Sequence, residues 1–151
     1  MSEFRLGAQS LARLAHVDER LAAVVRDAIT RTTVDFAVHE GLRTLATQRE
    51  YVRRGVSRTM HSKHLRGLAV DLVPWVGGQL RWEWPLIYPI AAAMRDAAVA
   101  VDLPLTWGGA WDTRLNSLDS TERAMREAVL AYCARHPGPD FIDGPHYEIA
   151  E

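Results

Sequence analysis

Lysine and cysteine are nearly missing from this chain of 151 residues, which has one of each, Lys63 and Cys133. A lone cysteine excludes an internal disulfide, so the fold must rest on a buried core. Cys133 falls in a helical stretch, where a thiol acts as a small apolar residue. Against the single lysine stand 17 arginines, a skew that a GC-rich genome produces without a chemical reason. Net charge is also scarce, at -1, which leaves no basic footprint for nucleic acid. No apolar run approaches the roughly 20 residues that a bilayer span needs. The opening Met1-Ser2-Glu3-Phe4-Arg5 lacks the apolar stretch of a secretory leader. The expectation is a protein without membrane insertion. Hydrophobic residues make up 48% and charged residues 25%, ordinary values for a globular chain. That length suits one domain over residues 1–151, burying about two-thirds of its unfolded surface.

Chemistry concentrates in two segments. The first is Ser62-Lys63-His64-Leu65-Arg66-Gly67-Leu68-Ala69-Val70-Asp71, and the second is Asp143-Gly144-Pro145-His146. Together they offer two imidazoles, a carboxylate, and a second carboxylate three residues before the last imidazole. A catalytic zinc site needs three such ligands, an open position for water, and a base beside it. The spacing constrains the local fold. A straight strand would hold His64 and Asp71 about 23 Å apart on opposite faces. A helix would set them two turns apart on one face, and Gly67 opposes an uninterrupted helix. A chain reversal at Arg66-Gly67 solves the problem, with Leu68 to Val73 leaving as a strand on which Ala69 and Asp71 share a face. His16, His39 and His136 read as surface or hydrogen-bonded histidines, and His61 is a close decoy for His64.

The rest of the chain reads as helices alternating with short strands. Helices are predicted over Leu11–Ala15, Asp18–Thr30, Thr47–Arg54 and Pro85–Val101, with another from Asp119 to about Arg135. Thr47-Gln48-Arg49-Glu50 and Asp119-Ser120-Thr121-Glu122 are read as capping boxes. Strands are predicted at Asp35–Glu40, Leu105–Trp107 and from Pro145 onward, with a polar loop at 55–63 and a turn at Val76–Leu80. These elements indicate a small α+β domain, with helices packed around a short, mainly antiparallel sheet.

The run S-x-H-x-x-G-x-A-x-D with a later D-x-P-H-[FY]-E resembles the zinc peptidases of the D-Ala-D-Ala carboxypeptidase/VanY group. Within it the chain is most similar to the L-alanyl-D-glutamate endopeptidase branch, which includes many phage endolysins. Phe4 to Leu11, Asp35 to Thr44, Gln48, Gly55 to Ser57 and Thr106-Trp107-Gly108-Gly109 also resemble blocks of that branch. The resemblance implies the fold shared by D,D-peptidases and the hedgehog signalling domain. It implies Zn2+ held by His64, Asp71 and His146, Asp143 as the general base and acid, and Arg43 steadying the oxyanion. It further implies action on peptidoglycan stem peptides; the expectation for the chain itself is a monomer with no separate cell-wall-binding domain. Such an enzyme stays in the host bacterial cytoplasm until lysis releases it to the wall.

The residues leave several roles open. Glu148 faces the same way as His146 on a strand and competes with Asp143 as base, or else orients a ligand or substrate. Ser62 either contacts substrate or holds the turn, and Arg43 either meets substrate or forms a surface ion pair. Trp107 and Trp111 are the candidate cleft tryptophans, while Trp75, Trp82 and Trp84 are assigned mainly to packing. Two departures from the family stand out: Ala110 replaces the aspartate of Trp-Gly-Gly-Asp-Trp, with Asp112 as a substitute, and Thr113 to Asp140 inserts a helix, read either as one wall of the cleft that tunes specificity or, with slight preference, as extra packing. The expected reaction is hydrolysis of the L-Ala–D-Glu bond. The alternatives are a D-Ala-D-Ala carboxypeptidase or dipeptidase, and a non-catalytic, zinc-stabilised binding domain.

Overall fold

A computed structural model describes residues 3–55, 62–138 and 142–150. Helix α1 (Ala8–Leu14) leads into α2 (Glu19–Arg31), whose cap is Asp18, accepting the Arg20 N–H at 2.9 Å. Leu21, Val24, Val25 and Ala28 form an apolar stripe along α2, and all are buried. Strand β1 (Phe36–Glu40) follows, then α3 (Leu45–Arg53), a 3-10 turn (Lys63–Arg66), and strand β2 (Ala69–Val76). A tight turn at Gly77-Gly78 joins β2 to the two-residue β3 (Gln79–Leu80). The long helix α4 (Trp84–Ala100) precedes β4 (Leu105–Trp107), β5 (Ala110–Arg114), α5 (Glu122–Arg135) and β6 (His146–Ile149).

Strand order is β1-β2-β6-β4-β5, with β3 paired to β2, and the described pairings are all antiparallel. The last strand therefore enters the middle of the sheet, beside β2. Alternation then sorts the side chains. Val70 and Leu72 on β2 and Tyr147 and Ile149 on β6 join the core with residues of α2 and α4. Asp71, His146 and Glu148 point to the opposite face. Truncating a fully buried core residue such as Leu72 to alanine costs about 2–5 kcal/mol.

The predicted reversal is present. Gly67 has φ 68°, in the left-handed region, and ends the 3-10 turn before Leu68 returns toward β2. A Cβ there would sit 3.0 Å from the His16 carbonyl oxygen, so crowding and backbone angle both select glycine.

Three expectations need correction. Helix α3 starts earlier, with Thr44 rather than Thr47 as cap, its hydroxyl accepting the Thr47 N–H at 3.1 Å. Helix α5 is capped by Thr121, not Asp119, through the Ala124 N–H at 3.0 Å. Strand β5 was not anticipated, because Ala110 to Arg114 carries too little apolar alternation to announce a strand. The inserted helix α5 packs on α4 and β5 through Met125, Val129 and Tyr132, as expected of packing.

Candidate metal centre and catalytic site

Sheet register builds the centre. Asp71 on β2 stands directly opposite His146 on β6. The Gly67 reversal brings His64 over the same face. His64 Nε2 lies 3.2 Å and His146 Nδ1 3.3 Å from the same oxygen, Asp71 Oδ1. Ligand atoms of the three residues all lie within 4.8 Å of one another. Tetrahedral ligands with bonds of about 2.0 Å are separated by roughly 3.3 Å, so this donor set fits zinc in both chemistry and spacing.

Each imidazole is oriented from its far side. His64 Nδ1 is 2.8 Å from the Gly41 carbonyl oxygen, to which it donates, leaving Nε2 toward Asp71. His146 Nε2 is 2.8 Å from Glu148 Oε1, leaving Nδ1 toward Asp71. Burial opposes charge on His146, but hydrogen bonds with Asp71 and Glu148 outweigh it and hold the pKa up at about 9. Burial likewise opposes charge on Asp71, yet its hydrogen bonds with His146 and His64 hold it well below the usual carboxylate range.

Asp143 sits in the loop that feeds β6. Its N–H donates to the Gly108 carbonyl oxygen at 2.8 Å, and its own carbonyl accepts the His146 N–H at 3.1 Å. Burial and then the charge of Asp71 push the Asp143 carboxyl up to about 6, against the pull of His146, His64 and Arg43. A carboxyl poised near neutrality beside the three ligands is suited to proton transfer.

Arg43 is buried and held on several sides. Its Nε pairs with Glu40, Nη1 reaches Gln48 Oε1 and Ser62 Oγ, and its guanidinium carbon lies 4.6 Å from the Tyr51 ring centroid. Its N–H donates to the His64 carbonyl oxygen at 2.9 Å, which ties the Arg43 segment to the metal turn. Arg43 is thus a fixed charge beside the centre rather than a surface ion pair.

Other candidates are redistributed. Trp107, expected to touch substrate, is fully buried on the core face; its indole N–H donates to the Gly144 carbonyl at 2.7 Å and its ring stacks on Tyr147. It supports the Asp143 loop from below instead. Ser62 caps the 3-10 turn, its hydroxyl accepting the His64 N–H at 3.2 Å, so the turn-holding role is the one observed. Glu148 is held between His146 and Lys63, with Lys63 Nζ 2.9 Å from Oε2, rather than standing free toward a substrate. Trp111 is half-buried with its ring centroid 5.1 Å from that of His146, so of the two candidates it is the one that stands beside the three-residue cluster. Asp112 points away, paired with Arg135 and His136 of the inserted segment. Trp75 and Trp82, assigned to packing, are 42% and 53% exposed, with the Trp82 ring edge-on to His39. His61 lies outside the described residues.

Sequence reasoning did not anticipate the backbone clamp of Gly108 on Asp143 or the Lys63 contact with Glu148. The Trp-Gly-Gly block held the only signal of the first, and the solitary lysine the only signal of the second.

Comparison with known proteins points to one family. A family model described as phage L-alanyl-D-glutamate peptidase matches residues 1–130. The L-alanyl-D-glutamate peptidase of Escherichia phage T5 is 27% identical over 124 residues, covering 80% of this chain and 90% of that protein. The enzyme of the same name from Listeria phage A118 is 33% identical over 78 residues, 52% of this chain and 27% of that longer protein. The crystal structure of the Serratia marcescens L-Ala D-Glu endopeptidase ChiX matches with a TM-score of 0.74 and 35% identity, over 98% of this chain and 92% of that one. From the His-Asp-His cluster to these relatives, the observations converge: the chain belongs to the phage L-alanyl-D-glutamate peptidase family.

Proposed function

We propose that this chain is a peptidoglycan hydrolase that cleaves the L-Ala–D-Glu bond of stem peptides, with one zinc ion held by His64, Asp71 and His146. The observation that carries the reading is the meeting of both imidazoles on one Asp71 oxygen, with the raised carboxyl of Asp143 alongside. Zinc, when bound, supplies Lewis acidity that makes water nucleophilic near neutral pH and polarises a carbonyl. Asp143 takes the proton of the attacking water and delivers it to the departing D-Glu amine. Arg43, already desolvated and fixed, offsets negative charge on the carbonyl oxygen as the tetrahedral species forms. Trp111 lines the cleft beside His146 and limits water there. A purely structural zinc domain would have no use for a half-buried carboxyl of raised pKa beside its ligands.

None of the described helices is long and apolar enough to cross a membrane. Membership of a phage peptidase family supports an enzyme held in the host cytoplasm until lysis gives it access to the wall.

Digestion of purified peptidoglycan, with and without chelator, followed by mass spectrometry tests the reading. New D-Glu amino termini that vanish with chelator are the expected result. Release of terminal D-Ala would replace it with a carboxypeptidase activity, and no cleavage by fully zinc-loaded protein would overturn it.

A further inference from the structure

Lys63 is the only lysine in the chain, and its side chain leaves the metal turn to reach the last strand. Its Nζ lies 2.6 Å from the Ile149 carbonyl oxygen and 2.9 Å from Glu148 Oε2. The other oxygen of that carboxylate, Oε1, lies 2.8 Å from His146 Nε2, while His146 Nδ1 faces Asp71. Lys63 and Glu148 side chains are only 21% and 17% exposed, so the run Lys63–Glu148–His146 is largely shielded from water. It joins the two chemical motifs through side chains, independently of any metal.

We infer that Lys63 is a positioning residue, which acts through Glu148 to present His146 Nδ1 to the zinc ion. An imidazole binds a metal through the nitrogen that carries no proton, and the hydrogen bond at the other nitrogen selects which one that is. Glu148 Oε1 accepts from Nε2–H and so frees Nδ1. Glu148 is itself a potential ligand, two residues from His146 on the same strand face. Lys63 holds Oε2 away from the centre and keeps Oε1 on the imidazole.

The geometry also explains why this one position among 18 basic residues carries lysine. A guanidinium is a planar fork that grips both oxygens of a carboxylate, whereas an ammonium donates to one oxygen as a point charge. Arginine at position 63 would compete with His146 for Oε1. Lysine takes Oε2, spends a second donor on the Ile149 carbonyl, and leaves Oε1 to the imidazole.

The inference rests on His146 being a zinc ligand in the proposed function, but its test does not read cleavage. Zn2+ affinity is measured by chelator competition on wild type, Lys63→Met, Lys63→Arg, Glu148→Gln and the Lys63→Met/Glu148→Gln double variant. The visible spectrum of each Co2+-substituted protein reports ligand geometry. Lys63→Met and Lys63→Arg are each expected to weaken Zn2+ binding by about 10–100-fold and to alter the Co2+ spectrum. In the Glu148→Gln background, Lys63→Met should change Zn2+ affinity by less than about twofold, because its effect passes through the missing carboxylate. Equal effects of Lys63→Met in both backgrounds, or wild-type affinity and Co2+ spectrum in Lys63→Met, would overturn the inference. A lower melting temperature of metal-free Lys63→Met with unchanged Zn2+ affinity would reduce Lys63 to a strand anchor and overturn it too. Wild-type protein that binds no Zn2+ would instead overturn the proposed function.

Discussion

Gly108 and Asp143 meet backbone to backbone: the Asp143 N–H donates to the Gly108 carbonyl, and a Cβ on Gly108 would fall 2.1 Å from the Asp143 carbonyl oxygen. No rotamer relieves such a clash, since the obstructing atom is main chain. The Trp-Gly-Gly block therefore fixes where the Asp143 carboxyl stands, although neither glycine carries a functional group.

Gly108→Ala should displace the Asp143 loop more than the three candidate ligands, because the β2–β6 register still holds Asp71 opposite His146. A shift of about 1 Å at a reacting group costs on the order of 100-fold in rate. The expected result is a fall of that size in kcat with Zn2+ still bound. Wild-type kcat in Gly108→Ala would show that the loop relaxes without moving the carboxyl.

Direct substitutions separate the proposed proton carrier from the proposed ligands. Asp143→Ala should keep Zn2+ and lose about 100- to 10,000-fold in turnover. His64→Ala should lose the metal itself. Metal content by atomic absorption, read beside turnover, distinguishes the two. Full activity in Asp143→Ala would move the base to Glu148 or another group.

Legibility of this site in the sequence followed chain distance. The reversal at Gly67 and the sharing of a face by Ala69 and Asp71 could be read because ten consecutive residues impose them. Opposition of Asp71 and His146 could be argued only from the ligand set, since nothing local says that the last strand enters the middle of the sheet. Trp107 was misassigned for the same reason. In a three-residue strand the core-facing side is set by the register with β6, where Trp107 pairs with Tyr147. Asp112 lost its expected role to Arg135 and His136, partners more than twenty positions away that no spacing pattern marks.

Protonation of His146 should make the metal-free protein's stability depend on pH. Its pKa stands at about 9 in the folded chain against the ordinary histidine value of 6.5. A raised pKa contributes stability that is complete below about pH 6.5 and disappears as pH rises through about 9. Asp143, raised to about 6 from 3.8, acts in the same direction over its own lower range. Zinc must displace the His146 proton, so its affinity should climb with pH over the same upper interval. Thermal melts of metal-free protein should fall between pH 6.5 and 9, whereas those of His146→Gln should not show this upper component. A flat profile in the parent protein would contradict the Asp71–His146–Glu148 pairing as its source.

Tyr147 presents the opposite case, a polar atom with nothing to do. Its ring is fully buried against Trp107, and among the described residues its hydroxyl has no hydrogen-bond partner. Burial, and then the charge of Asp143, hold its ionisation well above the ordinary tyrosine range, so the group stays neutral. Leaving a neutral hydroxyl unpaired in the core costs about 1–3 kcal/mol, part of which the oxygen recovers by filling space. Tyr147→Phe should therefore raise stability by about 1 kcal/mol, or roughly 2–4 °C in melting temperature for a domain of this size. Zinc affinity and turnover should stay unchanged, because the ring faces the core while His146 and Glu148 face the site. A lower melting temperature would mean that the hydroxyl is paired in solution, and lost turnover would tie it to Asp143.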